Sequence, residues 1–214
     1  MSCAICHREL VNGEQFLCLD CLMHLPRIHG DAEQNHLWGK LCGQIPFQHA
    51  TSFCYYQKGD GLAGLIASAK YGHKPWINTQ LTRIFLQELE GSAWPYDIDL
   101  IVPVPVHWVR LLMRGYNQVS PIVRSLSEFW HLPVVNNCLY RNHYVHSQVG
   151  STREERIVAE SGSFSVRNAH RLEGRHILLV DDVCTTGSTI VACADVLLRI
   201  PGVRVSFLTL AVTI

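Results

Sequence analysis

A single stretch, residues 176–190, constrains the fold of this 214-residue chain more than any other. It begins with a histidine and four apolar residues, a run short enough for a buried strand. Two carboxylates follow at Asp181 and Asp182, and then a small hydroxyl-rich turn around Gly187. Beyond the turn, apolar residues recur from Ile190 with the spacing of one helical face. The order of strand, acidic pair, small loop and helix predicts an α/β fold with a ligand site where the strand ends.

The residue types of this stretch favour a phosphorylated sugar as the ligand. In open parallel sheets, ligands bind beyond the carboxyl ends of the strands. A loop that opens into a helix directs backbone N–H groups towards a phosphate, and Gly187 allows a close approach. Adjacent carboxylates bind sugar hydroxyls, or Mg²⁺ through oxygen ligands. An acidic pair alone is more often ordinary turn chemistry, so the inference depends on the whole run.

The run resembles the 5-phosphoribosyl-1-diphosphate (PRPP) motif of type I phosphoribosyltransferases. The resemblance implies that Asp181 and Asp182 are the catalytic acids and bind the ribose hydroxyls. It also implies that the loop holds the 5′-phosphate. The residues implied in PRPP binding are Asp181, Asp182, Val183, Thr185, Thr186, Gly187, Ser188 and Thr189.

Two CxxC pairs near the start of the chain predict a zinc site. They are Cys3 with Cys6 and Cys18 with Cys21, and the eleven residues between the pairs include a turn signal. Each pair supplies two thiolates, as tetrahedral zinc requires, and four sulfur ligands leave no open position. We therefore expect one structural Zn²⁺ per chain. Residues 1–50 are expected to form this ribbon and a linker with a weak pattern, and residues 51–214 the main domain.

Composition limits the location and the partners of the chain. Lys and Arg number 18 and Asp and Glu number 18, so no net charge attracts the protein to nucleic acid or to anionic lipid. There is no signal peptide and no apolar run that could span a bilayer, so we expect a cytoplasmic protein without membrane insertion. Nine cysteines without a secretion signal indicate thiols rather than disulfides.

Further motifs, in their order along the chain, resemble the ComF family of phosphoribosyltransferase-like proteins. They are Ile-Val-Pro-Val-Pro at 101–105, Arg-Gly-Tyr-Asn-Gln at 114–118, Leu-Tyr-Arg at 139–141, Ser-Gln at 147–148 and the acidic run; Lys-Tyr-Gly at 70–72 also matches. The family implies a type I phosphoribosyltransferase-like parallel sheet flanked by helices, with a small N-terminal zinc ribbon. Two departures are Gly39, where a partner for Cys42 is usual, and Ala159, where asparagine is usual.

The ComF resemblance also implies where the remainder of PRPP lies. The diphosphate, with Mg²⁺, is expected near the turn that follows residues 101–105. Independently of the resemblance, the polar stretch 141–156, which contains three arginines and two histidines, is expected to form either a mobile flap or a solvated charged loop. The residues that could bind the diphosphate are Lys70, Val104, Pro105, Arg110 and Arg114.

Three functions are consistent with the sequence. The first is an enzyme that transfers phosphoribose from PRPP and releases pyrophosphate. The second is a PRPP-binding module that handles single-stranded DNA or a competence-machinery protein during DNA uptake. The third is a zinc-ribbon interaction protein with an inactive transferase fold, against which the intact acidic pair and glycine loop argue. The absence of a run of lysines and aromatics weakens sequence-independent DNA binding, and the sequence leaves the acceptor and the oligomeric state open.

Overall fold

The structure is a computed structural model that describes residues 1–28, 35–89, 97–106, 111–113, 115–141 and 163–214. Its centre is a four-stranded parallel sheet, and two further strands form an antiparallel pair. The strands are β1 (Ala50–Tyr56), β2 (Leu100–Pro103), β3 (Leu139–Arg141), β4 (Phe164–Val166), β5 (His176–Cys184) and β6 (Arg204–Thr213). The helices are α1 (Leu19–Met23), α2 (His36–Leu41), α3 (Gly61–Tyr71), α4 (Trp76–Leu89), α5 (Ser120–Trp130) and α6 (Ser188–Leu198), with a short 3₁₀ helix at Ala169–Arg171.

The parallel sheet has the strand order β1-β6-β5-β2, so β5 and β6 lie at its centre. Both central strands carry apolar residues on both faces, as expected for parallel strands covered on two sides. The edge at β1 is covered by residues 26–28, since the Tyr55 N–H donates to the Pro26 carbonyl at 2.7 Å. The edge at β2 is covered by residues 133–135, which exchange two hydrogen bonds with Ile101. These coverings protect the sheet from pairing with another chain.

Each face of the sheet has its own apolar cluster. On one face α3, α4 and α5 pack together with Phe16, Leu17 and two of the N-terminal cysteines. On the other face α2 and α6 pack against the alternate residues of β5 and β6. The predicted parallel sheet flanked by helices is therefore confirmed. None of the helices in the described ranges is long and apolar enough to cross a membrane.

The described part of the segment between the cysteines and β1 contains more regular structure than its weak pattern predicted. It contains α2, whose cap Asn35 accepts N–H groups from Leu37 at 2.9 Å and from Trp38 at 3.1 Å. Leu37 and Leu41 are fully buried. The segment does pack on the main domain, but as a helix rather than as a linker. Six residues are too few for a helical period to show in the sequence.

The strand that carries the two acids is longer than predicted. The sequence places Asp181 and Asp182 after the strand, whereas β5 continues through them to Cys184 because it stays paired with β6 as far as Val212. Since successive residues of a strand point to opposite faces, the acidic pair is divided. Asp182 lies on the same face as Val180, towards α3, and Asp181 lies on the face of α6.

Candidate functional site

A cavity of about 270 Å³ opens at the carboxyl ends of β2 and β5. This position is the one that open parallel sheets use for ligands. Val104, Pro105 and Val106, which follow β2, line this cavity together with Asp181. The lining residues are Tyr56, Lys70, Tyr71, Val104, Pro105, Val106, Gln118, Arg141, Asp181, Asp182, Val183, Thr185 and Thr189.

The two carboxylates at the end of β5 differ in burial and in partners. Asp182 is only 4% exposed, and its Oδ1 accepts the Val183 N–H at 2.7 Å. Its Oδ2 lies 2.9 Å from the Lys70 ammonium. Asp181 is half-buried, and its Oδ1 accepts the Asp182 N–H at 2.8 Å. Both acids thus line the cavity, and Asp182 is neutralised there by the Lys70 cation.

The environment of Asp181 disfavours its charged form. Burial and then the charge of Asp182 raise the pKa of Asp181 to about 8, against smaller opposite effects of the Asp182 N–H and of Lys70. A carboxyl group with so high a pKa carries a proton for much of the time at neutral pH. A ligand that supplies hydrogen-bond donors or positive charge would favour the ionised form.

Lys70 reaches the cavity from the last turn of α3, and two contacts fix this turn. The Tyr116 hydroxyl donates to the Ala69 carbonyl, and the Gly72 N–H donates to the Ser68 carbonyl at 2.9 Å. A Cβ atom at position 72 would lie 2.8 Å from that same carbonyl oxygen, so the backbone approach requires glycine. The Lys-Tyr-Gly element therefore holds a cation in a defined position.

The loop between β5 and α6 has the geometry of an anion cradle. Gly187 has φ +84°, a left-handed conformation that favours glycine, and is the N-cap residue of α6. The Thr186 and Ser188 hydroxyls lie 2.9 Å apart, and the Thr213 hydroxyl donates to the Thr185 carbonyl at 2.9 Å. A smaller cavity of about 30 Å³ lies inside this loop, next to Asp181. The first N–H groups of a helix lack intrahelical partners and bind anions readily.

The turn after β2 closes the other side of the cavity. The Asn117 side chain donates to the Val104 carbonyl at 3.2 Å and accepts the Val119 N–H at 3.0 Å. The Gln118 carbonyl accepts the Asn78 side-chain amide of α4 at 2.8 Å. The Arg-Gly-Tyr-Asn-Gln motif thereby links the turn to α3 through Tyr116 and to α4 through Gln118.

The structure brings most of the predicted site residues together. Val183, Thr185 and Thr189 line the larger cavity and Thr186, Gly187 and Ser188 the smaller one, while Lys70, Val104 and Pro105 lie opposite. Arg110, Arg114 and residues 142–156 lie outside the described residues.

Tyr56, Tyr71 and Gln118 also line the cavity, although the sequence patterns predicted no ligand contact for them. Tyr71 and Gln118 belong to two of the motifs quoted above, and that membership was the signal that could have identified them. Tyr56 is the last residue of β1 and belongs to none of those motifs.

The four N-terminal cysteines form one cluster. The sulfur atoms of Cys3, Cys6, Cys18 and Cys21 all lie within 4.8 Å of one another. Cys6 Sγ and Cys18 Sγ are 3.7 Å apart, and two sulfurs bound at the usual zinc distance in a tetrahedral site are roughly 3.8 Å apart. The Cys18 N–H donates to Cys3 Sγ and the Cys21 N–H to Cys18 Sγ, both at 3.4 Å. This donor set fits a metal ion that prefers thiolates.

Comparison with known proteins gives consistent results. A family model described as the phosphoribosyl transferase domain matches residues 83–212. The DNA utilization protein YhgH of Escherichia coli (strain K12) is 30% identical over 206 residues, which are 92% of this chain and 84% of YhgH. Competence protein F of Haemophilus influenzae is 31% identical over 133 residues, 60% of this chain and 58% of that relative, less than two thirds of its length.

Solved structures resemble the chain more distantly. The glutamine PRPP amidotransferase from B. subtilis, complexed with ADP and GMP, is 18% identical. The superposition covers 63% of this chain and 26% of that chain, with a TM-score of 0.39.

Proposed function

Because the chain belongs to the phosphoribosyl transferase domain family, in the group of competence protein F and YhgH, we propose that it binds PRPP with Mg²⁺ at the strand-end cavity. The observation that carries the proposal is the arrangement around β5. Asp181 and Asp182 line one cavity from adjacent positions, and the Gly187 loop forms a second, smaller cavity beside Asp181. A sugar that carries a phosphate needs both parts.

In this proposal each part of PRPP has its own set of residues. The 5′-phosphate binds at 185–189, where backbone N–H groups and hydroxyls converge around Gly187. The ribose hydroxyls donate to the carboxylates of Asp181 and Asp182, which accept hydrogen bonds but have none to donate when ionised. The diphosphate lies between Lys70 and the turn at Val104, and Arg110 and Arg114 are proposed to contribute as well.

The donor chemistry of the cavity is compatible with Mg²⁺, which prefers oxygen ligands and usually binds together with substrate phosphates. The residues that would hold it are the carboxylates of Asp181 and Asp182, in company with the diphosphate. Its contribution when bound is to neutralise phosphate charge. For the cysteine cluster we propose a structural zinc, because the four thiolates leave no open position.

We propose transfer of phosphoribose as the activity. The bond between ribose C1 and the diphosphate breaks, a bond from C1 to the acceptor forms, and pyrophosphate leaves. Positive charge develops on the ribose ring, next to the carboxylates of Asp181 and Asp182, and these stabilise it. No protein nucleophile is required: the Cys184 thiol is 2% exposed and packs in the apolar cluster of α6.

A second candidate function follows from the names of the relatives, competence protein F and DNA utilization protein. In that case the chain handles single-stranded DNA, or a partner protein of DNA uptake, and PRPP is bound without turnover. The balanced net charge argues for weak rather than tight binding of DNA.

Calorimetric titration tests the proposal. Wild-type protein should bind PRPP in the presence of Mg²⁺, and the double variant Asp181→Asn with Asp182→Asn should not. Asp195→Asn is the matched control. Asp195 is an acid of α6 that forms an ion pair with Arg199 at 2.5 Å, and it lines neither cavity. No heat with the wild type, or equal binding by the double variant, would contradict PRPP binding.

Two further measurements separate the candidates. Release of pyrophosphate in the presence of candidate amines or bases would support the enzyme, and its absence with intact PRPP binding would favour the module. A gel shift with single-stranded DNA across a salt series tests the second function directly.

A further inference from the structure

The ion pair between Lys70 and Asp182 occupies the centre of the proposed ligand site. The ammonium nitrogen of Lys70 lies 2.9 Å from Asp182 Oδ2, and the aspartate side chain is 6% exposed. No hydrogen bond to this oxygen is found in the described parts of the chain. The buried charge of Asp182 is therefore compensated mainly by Lys70, and a carboxylate in such a position needs a partner.

Lys70 is held in place at its backbone and accessible at its tip. The turn of α3 from which it extends is fixed by the Tyr116 hydroxyl and by the close packing of Gly72. The lysine side chain is 22% exposed and lines the cavity together with Val104 and Pro105. A ligand in the cavity can thus reach the ammonium without any movement of the helix.

Each half of PRPP needs one member of this ion pair, and each member is already engaged by the other. The ribose hydroxyls need an acceptor, and Asp182 is engaged by Lys70. The diphosphate needs a cation, and Lys70 is engaged by Asp182. Either half alone would separate the pair and leave one buried charge without a partner, whereas the intact molecule supplies a new partner to each.

We propose that Lys70 is a positioning residue that exchanges partners, from Asp182 in the free protein to the diphosphate in the complex, so that only a C1-diphosphorylated ribose releases Asp182 for the sugar. This inference rests on the proposed binding of PRPP at this site. It makes the pair a device that selects PRPP over ribose 5-phosphate. Once pyrophosphate has left, Lys70 returns to Asp182 and weakens the hold on the product.

The test measures how substitution of each member of the ion pair changes the affinity for PRPP and for each of its two parts. PRPP and ribose 5-phosphate in the presence of Mg²⁺, and pyrophosphate without added metal, are titrated calorimetrically into wild type, Lys70→Gln and Asp182→Asn. In Lys70→Gln the preference for PRPP over ribose 5-phosphate should fall at least about tenfold, because PRPP loses a charged contact while Asp182 is released for the sugar. In Asp182→Asn the affinity for metal-free pyrophosphate should rise, because Lys70 is no longer engaged and no Mg²⁺ contact of Asp182 enters this comparison.

Opposite results would overturn the exchange. An unchanged preference in Lys70→Gln, with both ligands weakened by the same factor, would show that the lysine is merely structural. An unchanged or lower pyrophosphate affinity in Asp182→Asn would show that the pair does not restrain the lysine. If Lys70→Gln does not fold, the pyrophosphate titration of Asp182→Asn decides alone.

Two controls complete the design. Lys70→Arg keeps the charge and should retain most of the preference for PRPP, while Lys58→Gln, at an exposed lysine in the turn before α3, should bind all three ligands as wild type does. A wild type that fails to bind PRPP at all would refute the proposed function itself. A wild type that binds PRPP, together with an unchanged preference in Lys70→Gln, would refute only the partner exchange.

Discussion

The cysteine cluster and the strand-end cavity are built in different ways. All four cysteines lie within the first 21 residues, and a tight local turn brings their sulfur atoms together. The cavity collects Lys70 from α3, Val104 from the turn after β2, and Asp181 and Asp182 from β5. The first site is encoded by local spacing and the second by topology. The first should therefore depend on its metal, and the second on the exact backbone conformation at a few positions.

The two regions nevertheless share one apolar cluster. Phe16 of the ribbon packs edge-to-face on Trp76 of α4, with ring centres 5.5 Å apart. Ile5 lies so close to the start of α3 that a Cβ atom at Gly61 would be 2.6 Å from its Cγ2. The helix that presents Lys70 is thus supported at its first turn by the ribbon.

The largest effect is expected from the metal. Cys18→Ser, or a strong chelator, should remove the zinc and unfold the ribbon, because structural zinc contributes roughly 10–16 kcal/mol in finger peptides. Elemental analysis should fall from one zinc per chain to none. The melting temperature should fall by more than about 5 °C, since Phe16 and Leu17 leave the shared cluster. Two zinc ions per wild-type chain, or a metal-free protein that melts unchanged, would contradict the proposed structural role.

A smaller effect is expected from the backbone of the Gly187 loop. Gly187→Ala forces a left-handed φ on alanine and places its Cβ 3.0 Å from Leu41, so we expect a loss of about 1–2 kcal/mol and of most PRPP affinity. Gly174→Ala is the matched control, because Gly174 has φ +70° but no atom near its Cβ position. Denaturant unfolding should show comparable losses in both variants. PRPP binding that survives in Gly187→Ala would contradict the proposed binding of the 5′-phosphate by the Gly187 loop.

A comparable effect, dependent on pH, is expected at Asp181. Because folding raises its pKa to about 8 from an ordinary value near 4, the native state binds more protons than the unfolded state between those pH values. Wild type should therefore lose stability as the pH rises from about 4 to about 8. Asp181→Asn should be equal to wild type near pH 4 and increasingly more stable than wild type as the pH rises towards 8. Urea unfolding of both proteins across this pH range measures the effect. A difference in unfolding free energy between them that stays constant with pH would show that the pKa of Asp181 is not raised by folding.

The smallest effect is expected from one hydroxyl. Tyr116→Phe removes the hydrogen bond to the Ala69 carbonyl next to Lys70, a loss of about 1 kcal/mol. Tyr140→Phe is the matched control. It removes the 2.8 Å hydrogen bond from the Tyr140 hydroxyl to the Asn137 carbonyl, and neither residue lines the cavity. Thermal unfolding should change little and similarly in both variants. Calorimetry should show weaker PRPP binding only for Tyr116→Phe, and equal binding by both would show that this contact does not position Lys70.

Features encoded by local spacing could be predicted from the sequence, and features that depend on topology could not. The cysteine cluster depends on local spacing, and the two CxxC pairs predicted it. The acidic pair was recognised by type, but its division between two faces was not, because β6 extends the pairing of β5 beyond the apolar run. The ion pair between Lys70 and Asp182 joins residues that are distant in the chain, and only the packing of α3 over the strand ends brings them together. The division of the chain at residue 50 stays a prediction, as does the cytoplasmic location.

The placement of Asp181 and Asp182 on opposite faces of β5 has an evolutionary consequence. Each acid belongs to a different half of the architecture, one to the helical cover and one to the glycine loop. If the proposed function holds, a descendant that lost Lys70 would keep the loop proposed to bind the ribose phosphate, since no described contact of that loop involves the lysine. A single substitution would then widen recognition from PRPP to sugar phosphates in general, with no change in the fold.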